Sequence, residues 1–233
     1  MSETAKHSTS RSADRPVRVW DLPTRVFHWC LLLLVVFSFV SIRIAGNWVQ
    51  WHFYSGYAIL TLIAFRLVWG FAGGRYARFG TFLFGPGAVL RYLRGAPDAP
   101  RTLGHNPIGS GSVFAMLGLI GLQAVGGLFA NDDIASEGPL AKFVSKATSD
   151  SITGLHQLNQ WIILALVVLH IGAILFYLFR KRENLIRPML DGDKAANDAG
   201  LASPDDAALR LRAAVILAIC AGAVWAVVHW PAK

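Results

Sequence analysis

The chain has 233 residues, 54% of them hydrophobic and only 15% charged, with a mean hydropathy of +0.45. Soluble domains carry about 25% charge, so a water-soluble globule does not fit. A net charge of +8 raises the possibility of nucleic acid, but the charges collect beside apolar runs rather than on one basic face.

Residues 1–16 are rich in serine, charge and small side chains and are expected to form a disordered tail, with an inert His7. Five apolar runs follow: Val26–Ile42, Trp48–Ala72, Val113–Ala130, Leu155–Phe179 and Ala213–Trp230. Each falls in the range of roughly 17–25 residues that crosses a bilayer as a helix. None alternates with period two, and backbone groups in lipid must bond internally, so the runs predict helices. The first follows about 25 polar residues and is longer than a signal-peptide core, so it predicts a retained helix.

The links between the runs differ in character. A very short turn near Gly46–Asn47 joins the first two helices. The link from Gly73 to Gly111 is punctuated by glycine and proline, with one interfacial turn of helix expected at Ala88–Leu93. The link from Asn131 to Thr153 is mildly acidic and is the largest surface on its side for a docking partner. Residues 191–211 read as a polar linker and 212–233 as an additional fifth helix with Trp225 and Trp230 in an aromatic belt.

The basic residues set the topology. The tail, the 73–111 link and the 180–212 segment together carry 17 Lys/Arg, the opposite side four, and Arg66 stands inside a helix. The positive-inside rule puts the N-terminus in the cytoplasm and, after five crossings, the C-terminus in the periplasm. This charge faces anionic lipid, and no nucleic-acid partner is expected. Cys30 and Cys220 lie in separate apolar runs and read as packing residues. No C-x-x-C-H is present, which excludes covalent c-type haem.

Four of the seven histidines, His28, His52, His156 and His170, lie within the apolar runs. Ionisable groups at such depth are costly and need partners. His52 and His156 both lie early in helices entering from the same side. His170 follows His156 by 14 residues, which is about 21 Å along the axis and close to four full turns. One helix therefore presents two imidazoles on one stripe at two depths. His170 needs a partner at the other level, and His28 is available. A single histidine near a helix end is as readily an interfacial residue. Two matched pairs are what two bis-histidine haems b require, with both irons saturated for electron transfer. A bare zinc or iron site would need ligands clustered at i, i+3 or i, i+4, and that spacing is absent.

Arg66 lies 14 residues after His52, on the same stripe at the other level. It suits a haem propionate, since guanidinium binds carboxylates bidentately; the alternative is snorkelling to the headgroups. Gly56, four residues after His52, reads as clearance for a flat macrocycle, whereas Gly118, Gly121, Gly126 and Gly127 read as helix packing. His105 reads as a turn residue and His229 as interfacial.

Val19-Trp20-Asp21-Leu22-Pro23-Thr24-Arg25 with Phe27-His28-Trp29 resembles the opening of the prokaryotic cytochrome b561 family, which includes the b-type subunit of nickel–iron hydrogenases. Phe65 to Gly70, Gly104-His105-Asn106-Pro107, Gln123 to Phe129 and the Leu155-His156 to His170 segment are similar to its later helices. The resemblance covers about residues 17–190. It implies an all-α, four-helix transmembrane bundle in the bacterial inner membrane, with two non-covalent haems b at His28/His170 and His52/His156. It implies exchange with quinone or quinol and with a periplasmic redox protein such as a c-type cytochrome, and in some members a hydrogenase or superoxide. It raises Arg66 as a cofactor residue, and His105 as a residue near a haem edge or quinone. The fifth helix departs from that pattern and is the expected contact for a homo- or hetero-oligomer. The competing readings are a direct superoxide oxidase, which a cationic funnel outside would favour and for which only Arg43, Lys142 and Lys146 are available, and a hydrogenase-type anchor or haem-free transporter, which needs no paired histidines at matched depths.

Overall fold

The structure, a computed structural model, describes residues 15–44, 48–100, 102–134, 136–196 and 202–230. Residues 1–14 of the expected tail, His7 and the Gly46–Asn47 turn lie outside them. Strand β1 (Arg15–Arg18) leads into helices α1 (Leu22–Ser41) and α2 (Trp48–Ala72). Then come α3 (Pro86–Leu93), α4 (Pro107–Gly127), α5 (Lys146–Phe179), α6 (Ile186–Asp191), β2 (Asp193–Ala196) and α7 (Ala207–His229). Among the described residues, α1, α2, α4, α5 and α7 are long and apolar enough to cross a membrane. The protein is an all-α membrane protein. Its outward faces fit lipid: Leu33 and Leu169 are each 68% exposed.

Local chemistry sets the helix starts. Asp21 caps α1, accepting from the Thr24 N–H at 2.8 Å, with proline in the first turn. Asn106 caps α4 in the same way, ahead of Pro107. Ser145 caps α5 and Asp206 caps α7.

Helix α2 is the hub, packed on α1, α4 and α7. Its buried stripe of Ile59, Ile63, Phe65 and fully enclosed Trp69 meets Phe27 of α1, Leu117 and Ile120 of α4, and Leu209, Ala213 and Cys220 of α7. Helix α5 packs chiefly on α4. Side-chain bonds tie those two together along their length: Asn159 Nδ2 donates to the Leu119 carbonyl, Gln123 Nε2 to the His156 carbonyl, and Ser149 Oγ to the Phe129 carbonyl. At the other end of α5, the Tyr177 hydroxyl meets Tyr92 of α3 and accepts from Asn106.

Several boundaries differ from those expected. Arg15 and Pro16, assigned to the tail, begin β1, which pairs antiparallel with β2 (Arg15 opposite Ala196, Arg18 opposite Asp193). The 191–211 linker therefore holds a strand docked on the N-terminal segment. Val17 and Val19 are buried beneath it, and the Asp205 carboxylate sits among Arg18, Arg25 and Arg210. Helix α7 starts at Ala207 rather than residue 212, because Asp206 supplies a cap. Helix α5 starts at Lys146, nine residues before its apolar run, since its first turns are polar and lie against Phe129 and Asn131. The single turn expected at Ala88–Leu93 is a helix from Pro86.

Candidate haem-binding site

The four intramembrane histidines meet in two pairs. His52 of α2 and His156 of α5 have ring centres 6.3 Å apart, with planes at 84°. His28 of α1 and His170 of α5 have ring centres 6.5 Å apart, with planes at 52°. Helix α5 packs chiefly on α4 and brings both of its histidines opposite rings from α1 and α2.

The spacing tests whether a metal fits between the rings. Two imidazoles on opposite sides of one iron have ring centres about 6 Å apart, from a metal–nitrogen bond of about 2.0 Å and a ring radius of about 1.1 Å on each side. Both observed separations agree. Among the described residues no three His, Cys, Asp or Glu side chains converge on one point. Two protein ligands per level leave a lone ion under-coordinated, but are the complement a planar tetrapyrrole needs.

A cavity of about 300 Å³ lies at the His52 level, lined by both histidines, Gly56, Ile120, Gly127 and Ile163. A Cβ at Gly56 would meet nothing within 4 Å, so this glycine borders open space. His52 is oriented from behind: its Nδ1 lies 2.9 Å from the Ser38 carbonyl and 3.1 Å from the Ser38 hydroxyl. Donation to that carbonyl fixes the tautomer and leaves Nε2 facing the cavity. His156 and His28 have buried Nδ1 atoms without partners.

Two supporting residues were not singled out as functional from sequence. Gly127, expected only to pack helices, lies against the His156 ring, where a Cβ would approach Cε1 to 3.2 Å. Gln123 bridges α4 and α5, donating to the His156 carbonyl at 3.0 Å and accepting from Asn159 at 2.8 Å. A polar pair in an apolar stretch was the available signal.

At the other level, Arg66 is 2% exposed and points into the bundle, which sets aside snorkelling. Its guanidinium lies 4.7 Å from the centre of the Phe79 ring, and Nη1 has no hydrogen-bond partner. His105 is more than a turn residue. It stacks obliquely between Trp20 at 4.7 Å and Phe82 at 4.5 Å, and its Nδ1 is buried without a partner. Burial, then the neighbouring Arg66, pushes its pKa down to about 3. His229 is at the end of α7, stacked on Trp225 and away from both pairs. Cys30 is exposed and Cys220 buried, both as free thiols.

The model of the prokaryotic cytochrome b561 family matches residues 19–192, a span that contains both histidine pairs. The chain belongs to the prokaryotic cytochrome b561 family. Two relatives are described as probable Ni/Fe-hydrogenase B-type cytochrome subunits. The one from Rhizobium leguminosarum bv. viciae is 22% identical over 229 residues, covering 82% of this chain and 94% of the relative. The one from Rhodobacter capsulatus is 23% identical over 220 residues, covering 78% and 82%. No solved structure gives a significant match. As a cytochrome b561 family member the protein is a multi-pass b-type cytochrome of membrane electron transfer, and the family implies b-type haem.

Proposed function

We propose that this cytochrome holds two haems b, one between His52 and His156 and the other between His28 and His170. It would pass electrons across the inner membrane between the quinone pool and a periplasmic redox partner. The observation that carries the proposal is the pair of imidazole separations, 6.3 and 6.5 Å, at two depths of one bundle. Residues 17–190 form the haem-holding unit, and α7 extends it. The positive-inside rule supports a cytoplasmic N-terminus and a periplasmic C-terminus.

Bound haem supplies the one-electron chemistry of its iron. The chain supplies the rest. His52, His156, His28 and His170 would hold the iron through neutral imidazole. Ser38 orients His52, Gly127 and Gln123 seat His156, and Tyr92 and Asn106 anchor the α5 end below His170. Ile59, Ile120 and Ile163 line the first level with apolar surface that lowers the local dielectric. Arg66 and Gly56 are the further cofactor residues.

The names of the two relatives favour a hydrogenase-type role as the partner-specific form of this reading. Superoxide oxidation gains less support. Of the three cations on that side, Arg43 lies over Phe39 and donates to Gln160, Lys146 pairs with Asp133 and Asp150, and Lys142 lies over Phe143, so acidic neighbours reduce the positive charge around Lys146.

The test is haem stoichiometry by pyridine haemochrome on the purified protein. Two haems b per chain are expected. Replacing His52 or His156 by alanine should remove one haem, and replacing His28 or His170 the other. A wild-type ratio near one or zero would overturn the proposal.

A further inference from the structure

Among the described residues, the basic end of the bundle contains several buried nitrogens with no hydrogen-bond partner: Arg25 Nε, Nδ1 of the ligand candidate His28, and two that belong to neither a ligand nor the N-terminal ion-pair cluster, Nη1 of Arg66 and Nδ1 of His105. A buried guanidinium without a hydrogen-bonded anion is among the costliest arrangements a membrane interior can hold. The two groups come from different elements, yet share one set of walls. Phe79 lies against the Arg66 guanidinium and packs on Phe82 at 5.9 Å, and Phe82 packs on His105. Arg66 follows His52 by the same 14 residues that separate His170 from His156, so it belongs to the His28/His170 level, and the Phe79–Phe82 wall carries on from it to His105. Beside His105 opens a cleft of about 320 Å³ bounded by Arg75, Tyr76, Phe82 and Gly104.

Among the described residues, no carboxylate is hydrogen-bonded to either donor. Asp21 attracts Arg66 electrostatically, but its oxygens accept from the N–H groups of Thr24 at 2.8 Å and Gly74 at 3.2 Å, and from Trp69 Nε1 at 3.4 Å. Asp21 thus holds the start of α1 against the end of α2. Two unsatisfied donors, one permanently cationic and one able to donate from Nδ1, match the two oxygens of a single carboxylate.

We propose that Arg66 and His105 together bind one carboxylate of the group held between His28 and His170, a haem propionate. This rests on the haem reading above and adds a partner, His105, that ligand spacing alone does not indicate. Arg66 neutralises the carboxylate, and His105 fixes its orientation. Both are positioning residues for the haem rather than ligands.

The experiment is a spectroelectrochemical titration of the purified holoprotein, which resolves two midpoint potentials. Arg66→Leu should lower one of them, the one missing in His170→Ala, and leave the other unchanged. His105→Phe keeps the ring packing on Trp20 and Phe82 but removes the donor, and should lower the same potential by a smaller amount. Arg66→Lys should restore part of the Arg66→Leu loss. A merely structural His105 predicts no shift in His105→Phe, and that result overturns the proposal. So does an equal shift of both potentials in Arg66→Leu. Acetate serves as the probe for an anion drawn from solution. Wild-type potentials that move with added acetate, and stop moving in His105→Phe, would assign the two donors to a solution anion instead. Two haems with unresponsive potentials would refute this inference alone, whereas a wild type without two haems would refute the reading beneath it.

Discussion

Gly70 is the position where one added carbon tests the basic end of the bundle most sharply. A Cβ there would fall 2.1 Å from Cε2 of Phe79 and 2.4 Å from Cδ2 and Cζ. Real Cβ atoms essentially never come within 3.0 Å, so the ring would have to move by about 0.9 Å or more. Phe79 has little freedom to do so, because it touches Phe71 at 5.5 Å, Phe82 at 5.9 Å and Phe114 at 5.4 Å, besides Arg66. Expelling it forfeits three aromatic contacts of about 0.5–1.5 kcal/mol each and a desolvated cation–π contact of about 2 kcal/mol. Alanine returns about 1 kcal/mol over glycine in a helix. Gly70→Ala should therefore destabilise the protein by about 2.5–5.5 kcal/mol. The assay is SDS-induced unfolding of detergent-solubilised protein, followed by tryptophan fluorescence. A double-mutant cycle with Phe79→Ala isolates the cause. In that background Gly70→Ala should be neutral or slightly stabilising. Equal destabilisation with and without the Phe79 ring, or none at all in the wild type, would refute the steric reasoning.

Other perturbations test other layers of the structure. Gly127→Val places branched carbon against the His156 ring, already 3.2 Å from a single Cβ, and should lower haem content towards one per chain with the His28/His170 haem retained. Gln123→Leu removes the bridge from α4 to the His156 carbonyl and to Asn159; unfolding free energy should fall by about 1–3 kcal/mol, with faster haem loss on dilution into detergent. Asp205 is held below the usual aspartate range: burial pushes it up, but Arg210, the Leu22 N–H and Arg18 together outweigh that. Its folded pKa is depressed, so its contribution to stability is complete above the ordinary value of 3.8 and is lost as pH falls through the lower folded value. Unfolding measured against pH should show a loss of stability in that acid window that Asp205→Asn lacks. His229→Ala should leave haem content and both potentials unchanged, since His229 stacks on Trp225 away from the pairs.

Much of this protein follows from local chemistry along the chain. Apolar runs long enough to span lipid specify helices whatever their neighbours, because backbone groups there have no water to bond. Fourteen residues between His156 and His170 place both rings on one stripe, since helical geometry is independent of packing. Arg66 at the same interval after His52 is placed by the same rule. Other features have no local signal. Four-residue strands such as β1 and β2 exist only because residues 193–196 return to residues 15–18, some 180 positions away. The docking of the polar first turns of α5 on the end of α4 depends on the Phe129 carbonyl accepting from Ser149 and the Asn131 N–H donating to Thr153 across a loop. That Arg66 is enclosed rather than snorkelling, and that His105 lies between Trp20 and Phe82, depends on where α2, α4 and the N-terminal segment converge. The ring separations at each level are also a tertiary quantity. They come from how α5, bonded to α4, is set against α1 and α2, a distance that periodicity along one helix cannot specify.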